Sequence, residues 1–406
     1  MQMHSTCVWV PRGHLSNYPK GIAEDDIDDK SASNKPAKRV LTGDYITDKY
    51  NMADYDNEGN DDDFRREFSD DYDKNMAEDD DESSLEELLV ADSDSILLTG
   101  VFNTVESEFG LNVMIMEKSL DNSFVHDDVM LPQIPITTEY LDFIGSPLQG
   151  AQNIVAVSCI GDQLELWDLD CTDHVDPLVS FSGDIITTNG ERNEVSFDET
   201  KSIMSVGWNS LQKNILATGS SDHKIRFWDL ATSKLEMTLN HLTGKAQVCS
   251  WCPTNIGMLA TGCFSEDENK ASITVLDAMN KTTVGSYFVE NDMNDFKWNN
   301  DGVIFLTTFE NGTVELRDVR KLANPVWSFS AHTKACTTVS IYTNGVFATG
   351  GEDGYLRTWD GKSNMPFVLE QKKLNGDVLC SAYCPDTSSL IAVGGEFGLK
   401  FLRTAN

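Results

Sequence analysis

Four residues towards the C-terminal end carry side chains that acid–base chemistry uses: His332, Thr349, Asp353 and Trp359. A histidine, a hydroxyl and a carboxylate are the parts of a nucleophilic triad. They are also the parts of an inert hydrogen-bonded chain. A neutral imidazole donates from one nitrogen and accepts on the other, and an indole only donates. A second set, Cys249-x-x-Cys252, has half of a zinc or redox spacing. No second cysteine or histidine pair follows at zinc-ligand distance, and in a strand residues three apart face opposite sides. Cys252 and Cys384 also precede Pro253 and Pro385, which marks them as matching positions of a repeat. The thiols are therefore read as structural, with no metal and no cofactor. The seven histidines are scattered, and the chain has no Walker loop, no Gly-x-Ser-x-Gly elbow and no dinucleotide fingerprint. These residues together point away from an enzyme.

The elements that must position them are short strands. Ile215-Leu216-Ala217-Thr218-Gly219 and Ile225-Arg226-Phe227-Trp228-Asp229 flank the polar turn Ser221-Asp222-His223-Lys224, which reads as a β-hairpin. A lone hairpin is marginal in water, so it needs companions. Val346-Phe347-Ala348-Thr349-Gly350 with Leu356-Arg357-Thr358-Trp359-Asp360 is nearly a copy. Weaker copies end at Glu117, Asp168, Asp277, Asp318 and Arg403, and the seven closing positions are 41 to 61 residues apart. A second marker keeps step: Trp208, Trp251, Trp298, Tyr342 and Tyr383 precede the last five hairpins. A period near 40–45 residues closed by Trp-Asp is the signature of a propeller blade.

This pattern resembles the WD-repeat family over roughly residues 90–406. The resemblance implies an all-β, seven-bladed β-propeller over 85–406. It also implies that His332, Thr349, Asp353 and Trp359 form a buried tetrad that stiffens one blade. The third unit keeps Thr218, Asp222 and Trp228 without an evident histidine. In such propellers the repeat is offset from the blade, so the last blade borrows its outer strand from the N-terminal part. Residues 85–90 and 7–10 are the two candidates for that strand, and residues 85–90 also read as the opening strand of the first blade.

The chain has 406 residues and a formal net charge of −35. Its first 90 residues hold 24 acidic and 10 basic residues, and the remainder 42 and 21. Both parts repel polyanions, so nucleic acid and anionic membrane are disfavoured and basic proteins are favoured as partners. No apolar run is long enough to span a bilayer. Nine cysteines, an odd number placed mostly in strand-like runs, fit a reducing compartment better than a disulfide framework. Nothing in the sequence asks for a small-molecule substrate.

Residues 1–20 form an apolar docking motif around Trp9, in which Trp9 and Arg12 are the candidate partner-binding anchors. Residues 21–84 read as an acidic disordered segment, too poor in apolar residues to offset its ordering entropy. Within it lie a weak nuclear-import patch, Lys35-Pro36-Ala37-Lys38-Arg39, and two acid-flanked serines, Ser69 and Ser84, as candidate phosphorylation sites. The longest interval between markers holds a polar stretch at 183–201, read as a solvent loop.

Trp9-Val10-Pro11-Arg12-Gly13, residues 126–132, and Leu164-Glu165-Leu166-Trp167-Asp168-Leu169-Asp170 before Val175-Asp176-Pro177 narrow the resemblance to the periodic-tryptophan branch of the family. That branch implies a nuclear and nucleolar protein of ribosome biogenesis, acting in ribosomal RNA production or large-subunit assembly. Its implied partners are pre-ribosomal assembly factors and ribosomal proteins. The alternative is a chromatin module reading histone tails. One departure stands out: branch members carry lysines in the loop at 183–201, where this chain has Arg192 and Lys201 among Glu191, Glu194 and Glu199.

Overall fold

In the computed structural model the chain is a seven-bladed propeller. The structure describes residues 2–14, 90, 93–103, 105–117, 122–142, 153–171, 176–182, 185–188, 199–240, 242–265, 270–342, 345–362, 365–387 and 389–404. The acidic segment at 21–84, with Ser69, Ser84 and the 35–39 patch, lies outside them, as do residues 85–89.

The first blade orders β1 (Met3–Val10), β2 (Ser95–Asn103), β3 (Glu108–Glu117) and β4 (Asn122–Met130). The second has five strands: β5 (Pro135–Asp142), β6 (Asn153–Cys159), β7 (Gln163–Asp168), β8 (Val179–Ser182) and β9 (Ile185–Thr188). Four-stranded blades follow in chain order. They are β10 (Ile203–Trp208), β11 (Ile215–Ser220), β12 (Ile225–Asp229), β13 (Lys234–Leu239); then β14 (Lys245–Trp251), β15 (Met258–Ser265), β16 (Lys270–Asp277), β17 (Thr282–Val289). The fifth is β18 (Met293–Trp298), β19 (Ile304–Phe309), β20 (Thr313–Asp318), β21 (Trp327–Ser330). The sixth is β22 (Cys336–Ile341), β23 (Val346–Gly351), β24 (Tyr355–Asp360), β25 (Phe367–Lys373). The seventh has three strands, β26 (Val378–Tyr383), β27 (Leu390–Gly395) and β28 (Gly398–Arg403).

Two expectations are corrected here. Residues 7–10, one of the two candidates, do not supply the outer strand of the last blade; residues 85–89 of the other candidate lie outside the described residues. Residues 7–10 belong to β1, which pairs with β2 as the innermost strand of the first blade, Trp9 opposite Leu97. The propeller therefore takes in residues 3–10 as well as the later repeats, across a gap of some 80 residues. Burial accompanies the placement: in β1 Trp9 and Val10 are 6% and 1% exposed. The second correction concerns the loop at 183–201. It opens as β9, paired with β8 from Val179↔Thr188 to Ser182↔Ile185, and a short 3₁₀ turn spans Glu199–Lys201.

One irregularity repeats in all seven blades. Where each inner strand meets its neighbour the register skips one residue, a β-bulge. The extra residues are Ser5, Ile136, Met204, Gln247, Asn294, Thr337 and Leu379. A bulge bends the strand and re-aims a side chain. Opposite the residue after the bulge, five blades carry the glycine of the recurrent Thr-Gly or its equivalent: Gly100, Gly219, Gly262, Gly350 and Gly394. A Cβ on Gly350 would strike Val378 Cγ1 of the next blade, and one on Gly394 would meet His4 Cβ at 2.8 Å. The motif is thus a blade-to-blade contact, and at Gly394 it is the contact that closes the ring.

The closing strand carries a titration of its own. His4 is 6% exposed, and its Nδ1 donates to Thr99 Oγ1 at 2.9 Å, because that hydroxyl already donates to Thr6 O at 3.0 Å. Burial lowers its pKa to about 4. The folded value lies below the unfolded one, so the associated stability is complete above about pH 6.5 and is lost as pH falls towards 4. The expected loss is about 3 kcal/mol at the full shift. Urea denaturation at pH 7 and pH 4.5 checks it: His4→Gln should flatten the pH dependence, and an unchanged slope would contradict the assignment.

Candidate interaction site at the central channel

The bulges converge. At the ends where the inner strands begin, a cavity of about 310 Å³ is lined by Ser5, Phe102, Ile134, Asn294, Thr337 and Leu379. Four of these six are bulge residues. Their polar atoms are spent across the blade boundaries. Ser5 Oγ donates to Pro135 O at 2.8 Å, Asn294 Nδ2 to Cys336 O at 3.1 Å and Thr337 Oγ1 to Val378 O at 2.6 Å. Asp295, next to the bulge in β18, accepts from Val339 N–H at 2.9 Å. With the polar groups engaged in holding the ring, half-buried Phe102, Ile134 and Leu379 remain for a visiting group.

Deeper in, Glu139 of β5 and Lys297 of β18 face one another electrostatically. Burial raises the Glu139 carboxyl to about 7, against the opposing charge of Lys297 and a hydrogen bond from the Trp208 backbone. Asp295 raises Lys297 above its ordinary value, against burial, with a further contribution from Glu139. Lys297 is exposed to solvent by area although the protein surrounds it, the condition of a group lining a wet channel. For Glu139 the folded value is raised, so stability is fully present below about pH 4.5 and is lost as pH rises through 7. Glu139→Gln should raise stability at pH 8 by roughly 1–2 kcal/mol, a figure discounted for the carboxyl's residual exposure, and leave it unchanged at pH 5. Paired melting curves at the two pH values test this; an equal gain at both would show a packing effect instead.

The wall of this mouth on the sixth blade is held by the residues that the sequence singled out for acid–base chemistry. Trp359 Nε1 donates to Thr349 Oγ1 at 2.9 Å, and Thr349 Oγ1 lies 2.8 Å from His332 Nε2. His332 Nδ1 lies 2.8 Å from Asp353 Oδ1. Since the threonine oxygen accepts from the indole, its proton goes to Nε2, and Nδ1–H donates to the carboxylate. Arg357 Nη1 donates to Asp353 Oδ2 at 2.9 Å. Burial would raise Asp353, but the bonds from His332 and Arg357 outweigh it and hold the carboxyl at about 2. Burial lowers His332, against the hydrogen bond and charge of Asp353. His332 is 2% exposed and Thr349 0%, so no reactant reaches the hydroxyl. The third blade keeps the Trp228 Nε1 to Thr218 bond at 3.0 Å and pairs Asp222 with Arg226 at 2.7 Å.

Trp9 and Arg12 are spent inside the ring. Trp9 Nε1 donates to Ala382 O at 2.8 Å. Arg12 Nη2 donates to Ser95 and Thr387 hydroxyls at 2.7 Å each, and its backbone N–H to Asp386 at 3.0 Å. Trp9 is buried and Arg12 half-buried. Trp251 Nε1 to Gly207 O and Trp298 Nε1 to Ser250 O, both 3.1 Å, repeat the geometry of Trp9: each indole reaches the inner strand of the preceding blade. Trp9 is therefore the first-blade member of the aromatic series, and Tyr140 occupies the matching register of the second, opposite Val155. Sequence reasoning missed both; the signal was Trp9 itself, set apart from its blade. Cys249 and Cys252 are both free and buried, and Cys252 Sγ lies 3.5 Å from Gly302 O. Among the described residues no three His, Cys, Asp or Glu side chains are grouped to hold a metal ion.

A family model described as WD domain, G-beta repeat matches residues 323–360. Another, described as Eukaryotic translation initiation factor eIF2A, matches residues 184–330. Over 377 residues the chain is 22% identical to a periodic tryptophan protein 1 homolog of Drosophila melanogaster, covering 91% of this chain and 79% of that protein. It is 25% identical over 300 residues to periodic tryptophan protein 1 of Saccharomyces cerevisiae, covering 67% and 52%. It is 24% identical over 331 residues to an uncharacterized WD repeat-containing protein of Schizosaccharomyces pombe, covering 79% and 63%. The chain thus spans about half of the budding-yeast relative and under two thirds of the fission-yeast one.

Proposed function

We propose that this chain, a WD-repeat propeller protein similar to periodic tryptophan protein 1, is a non-enzymatic protein–protein scaffold of ribosome biogenesis. In this reading it acts in the nucleus and nucleolus, on ribosomal RNA production or large-subunit assembly. Its partners are pre-ribosomal assembly factors and ribosomal proteins. The observation that supports it most is the channel mouth. Its polar side chains hold neighbouring blades together, its histidine–carboxylate set is sealed inside a blade, and a small half-apolar concavity is left on a rigid ring. Such a surface recognises a side chain or a loop of another protein. The net charge of −35 favours basic ones, and charge complementarity speeds encounter more than it deepens affinity.

Affinity purification of the full chain with mass spectrometry tests the reading. Enrichment of large-subunit precursors is expected, with loss of part of that set when Leu379 at the mouth is changed to Glu. Recovery of no nucleolar or pre-ribosomal protein would overturn it. Histone-tail peptides titrated against the same chain separate the chromatin alternative, which needs saturable binding.

A further inference from the structure

The seams between neighbouring blades share one geometry. The residue after an inner-strand bulge turns towards the next blade. Ser205 Oγ donates to Ala246 O at 3.2 Å, Asp295 accepts from Val339 N–H at 2.9 Å, and Cys380 Sγ stands 3.7 Å from His4 O. The second residue after a bulge turns back towards the preceding blade. Thr338 and Ser381 show the two meeting across the seam of the sixth and seventh blades, their hydroxyl oxygens 3.1 Å apart.

At the seam that closes the ring, between the seventh blade and the first, these two positions hold Cys380 and Cys7. Each is aimed at the other. A Cβ on Gly394, opposite Cys380 in β27, would meet Cys380 Sγ at 2.7 Å and His4 Cβ of β1 at 2.8 Å. The Cys380 side chain therefore leaves its sheet on the face that touches β1. Cys7 stands two residues before Trp9, whose N–H goes to Ala382 O of β26, so both side chains leave β1 towards the seventh blade. The two thiols share a hydrogen bond. Among the described residues no other seam pairs two sulfurs at these positions; the seam of the third and fourth blades has Ser205 with Cys249.

All nine cysteines are free. Reducing compartments keep thiols so, and disulfides that form there are transient and report oxidation. Cys7 and Cys380 lie near opposite ends of the chain. A bond between them would close a loop of nearly its whole length, and longer loops constrain the unfolded chain more.

We propose that Cys7 and Cys380 are a peroxide-responsive pair whose disulfide clasps the first blade to the seventh. The Cys7 thiolate attacks one oxygen of hydrogen peroxide. The O–O bond breaks, the departing hydroxide takes up the thiol proton as water, and Cys7 is left as a sulfenic acid. Cys380 Sγ then attacks Cys7 Sγ. The S–O bond breaks, and hydroxide leaves with the Cys380 proton as a second water. Two thiols lose two electrons and two protons, and one peroxide becomes two waters. The order of attack follows from access: Cys7 is half-buried and Cys380 is 8% exposed. The hydrogen bond with Cys7, with burial, also raises the Cys380 thiol well above its usual range, which makes it the slower nucleophile.

The test uses the full chain, reduced, freed of reductant and treated with hydrogen peroxide. After the remaining thiols are alkylated, trypsin releases residues 1–12, which contain Cys7, and residues 374–400, which contain Cys380 and Cys384. The expected product joins these two peptides, two hydrogens lighter than their sum, and dithiothreitol separates them. Cys384→Ser should keep the link, and Cys7→Ser or Cys380→Ser should abolish it. Serine at either position supplies a hydroxyl like those of Thr338 and Ser381, so both variants should fold and melt as the reduced parent does. Oxidation should raise the parent's melting temperature by about 5 °C, reversibly, and leave both variants unchanged. Three results would each overturn the proposal. The first is peroxide treatment that yields no joined peptide. The second is a link that survives Cys380→Ser, which would put the partner at Cys384. The third is a link that forms without moving the melting temperature, since a clasp must stabilise the ring. The parent's peptide map decides the pairing even if a serine variant fails to fold.

Discussion

Replacing Trp9 with alanine is expected to cost about 4 kcal/mol, the largest effect of any single substitution in the inner ring. The indole is 6% exposed, packs against Phe401 with ring centroids 6.0 Å apart, and gives its N–H to Ala382 O. Truncation leaves a cavity between the first and seventh blades and removes the donor from a carbonyl in the closing seam. A melting temperature about 6 °C lower would follow for a domain of this size. Deleting residues 1–14 should go further and abolish cooperative unfolding, because β2 loses its inner partner and β26 loses its neighbour. Circular dichroism on heating, with and without the segment, decides the matter. A deletion that melts like the intact chain would show that β1 is dispensable and that the ring is closed by something else.

His332→Ala carries the second-largest expectation, a loss of about 3 kcal/mol. Both ring nitrogens are engaged, one with Thr349 and one with Asp353, and the ring is 2% exposed. Removing it leaves Asp353 to Arg357 and the weaker Thr333 and Tyr355 N–H groups, and Thr349 without an acceptor for its proton. Asp353→Ala should cost a similar amount, and the double variant little more than either, because the two act as one chain. The pH dependence carries a signature. Both groups have folded values below their unfolded ones, so stability should fall as pH drops below about 6.5, and again as it approaches 2. In the third blade Asp222 is lowered despite burial by its bonds to Arg226, with no histidine in the chain; Asp222→Ala there should cost about half as much. Equal costs in the two blades would mean that the histidine adds nothing. A stiff sixth blade matters for the proposed function because Thr337, four residues beyond Thr333 in the same wall, lines the mouth.

Much of the molecule was legible in the residues themselves. The alternation of apolar and polar positions in 215–229 and 346–360 specifies hairpins, because a strand has a period of two and one buried face. Repetition of that hairpin with a Trp-Asp close specifies a ring, since each sheet buries its faces only against the next. The tetrad could be read as well, because its four groups can satisfy one another in a single order. The role of the glycine after threonine, by contrast, was legible only as a repeat. Its reason, the start of the next blade standing where a Cβ would be, is a distance between residues such as Gly350 and Val378.

Tertiary structure alone decided three things. It placed residues 3–10 at the centre of the first blade, because pairing across some 80 intervening residues leaves no local period to detect. It aimed Ser5, Asn294, Thr337 and Leu379 at one cavity, because a bulge is a mismatch in count between two strands and belongs to neither sequence. It left every residue of β28 short of full burial, because burial depends on what lies beside a strand and not on the strand's own residues. Local pattern, then, determined which hairpins form and how many; the closure of the ring and the shape of its mouth are properties of distance, which the order of residues does not contain.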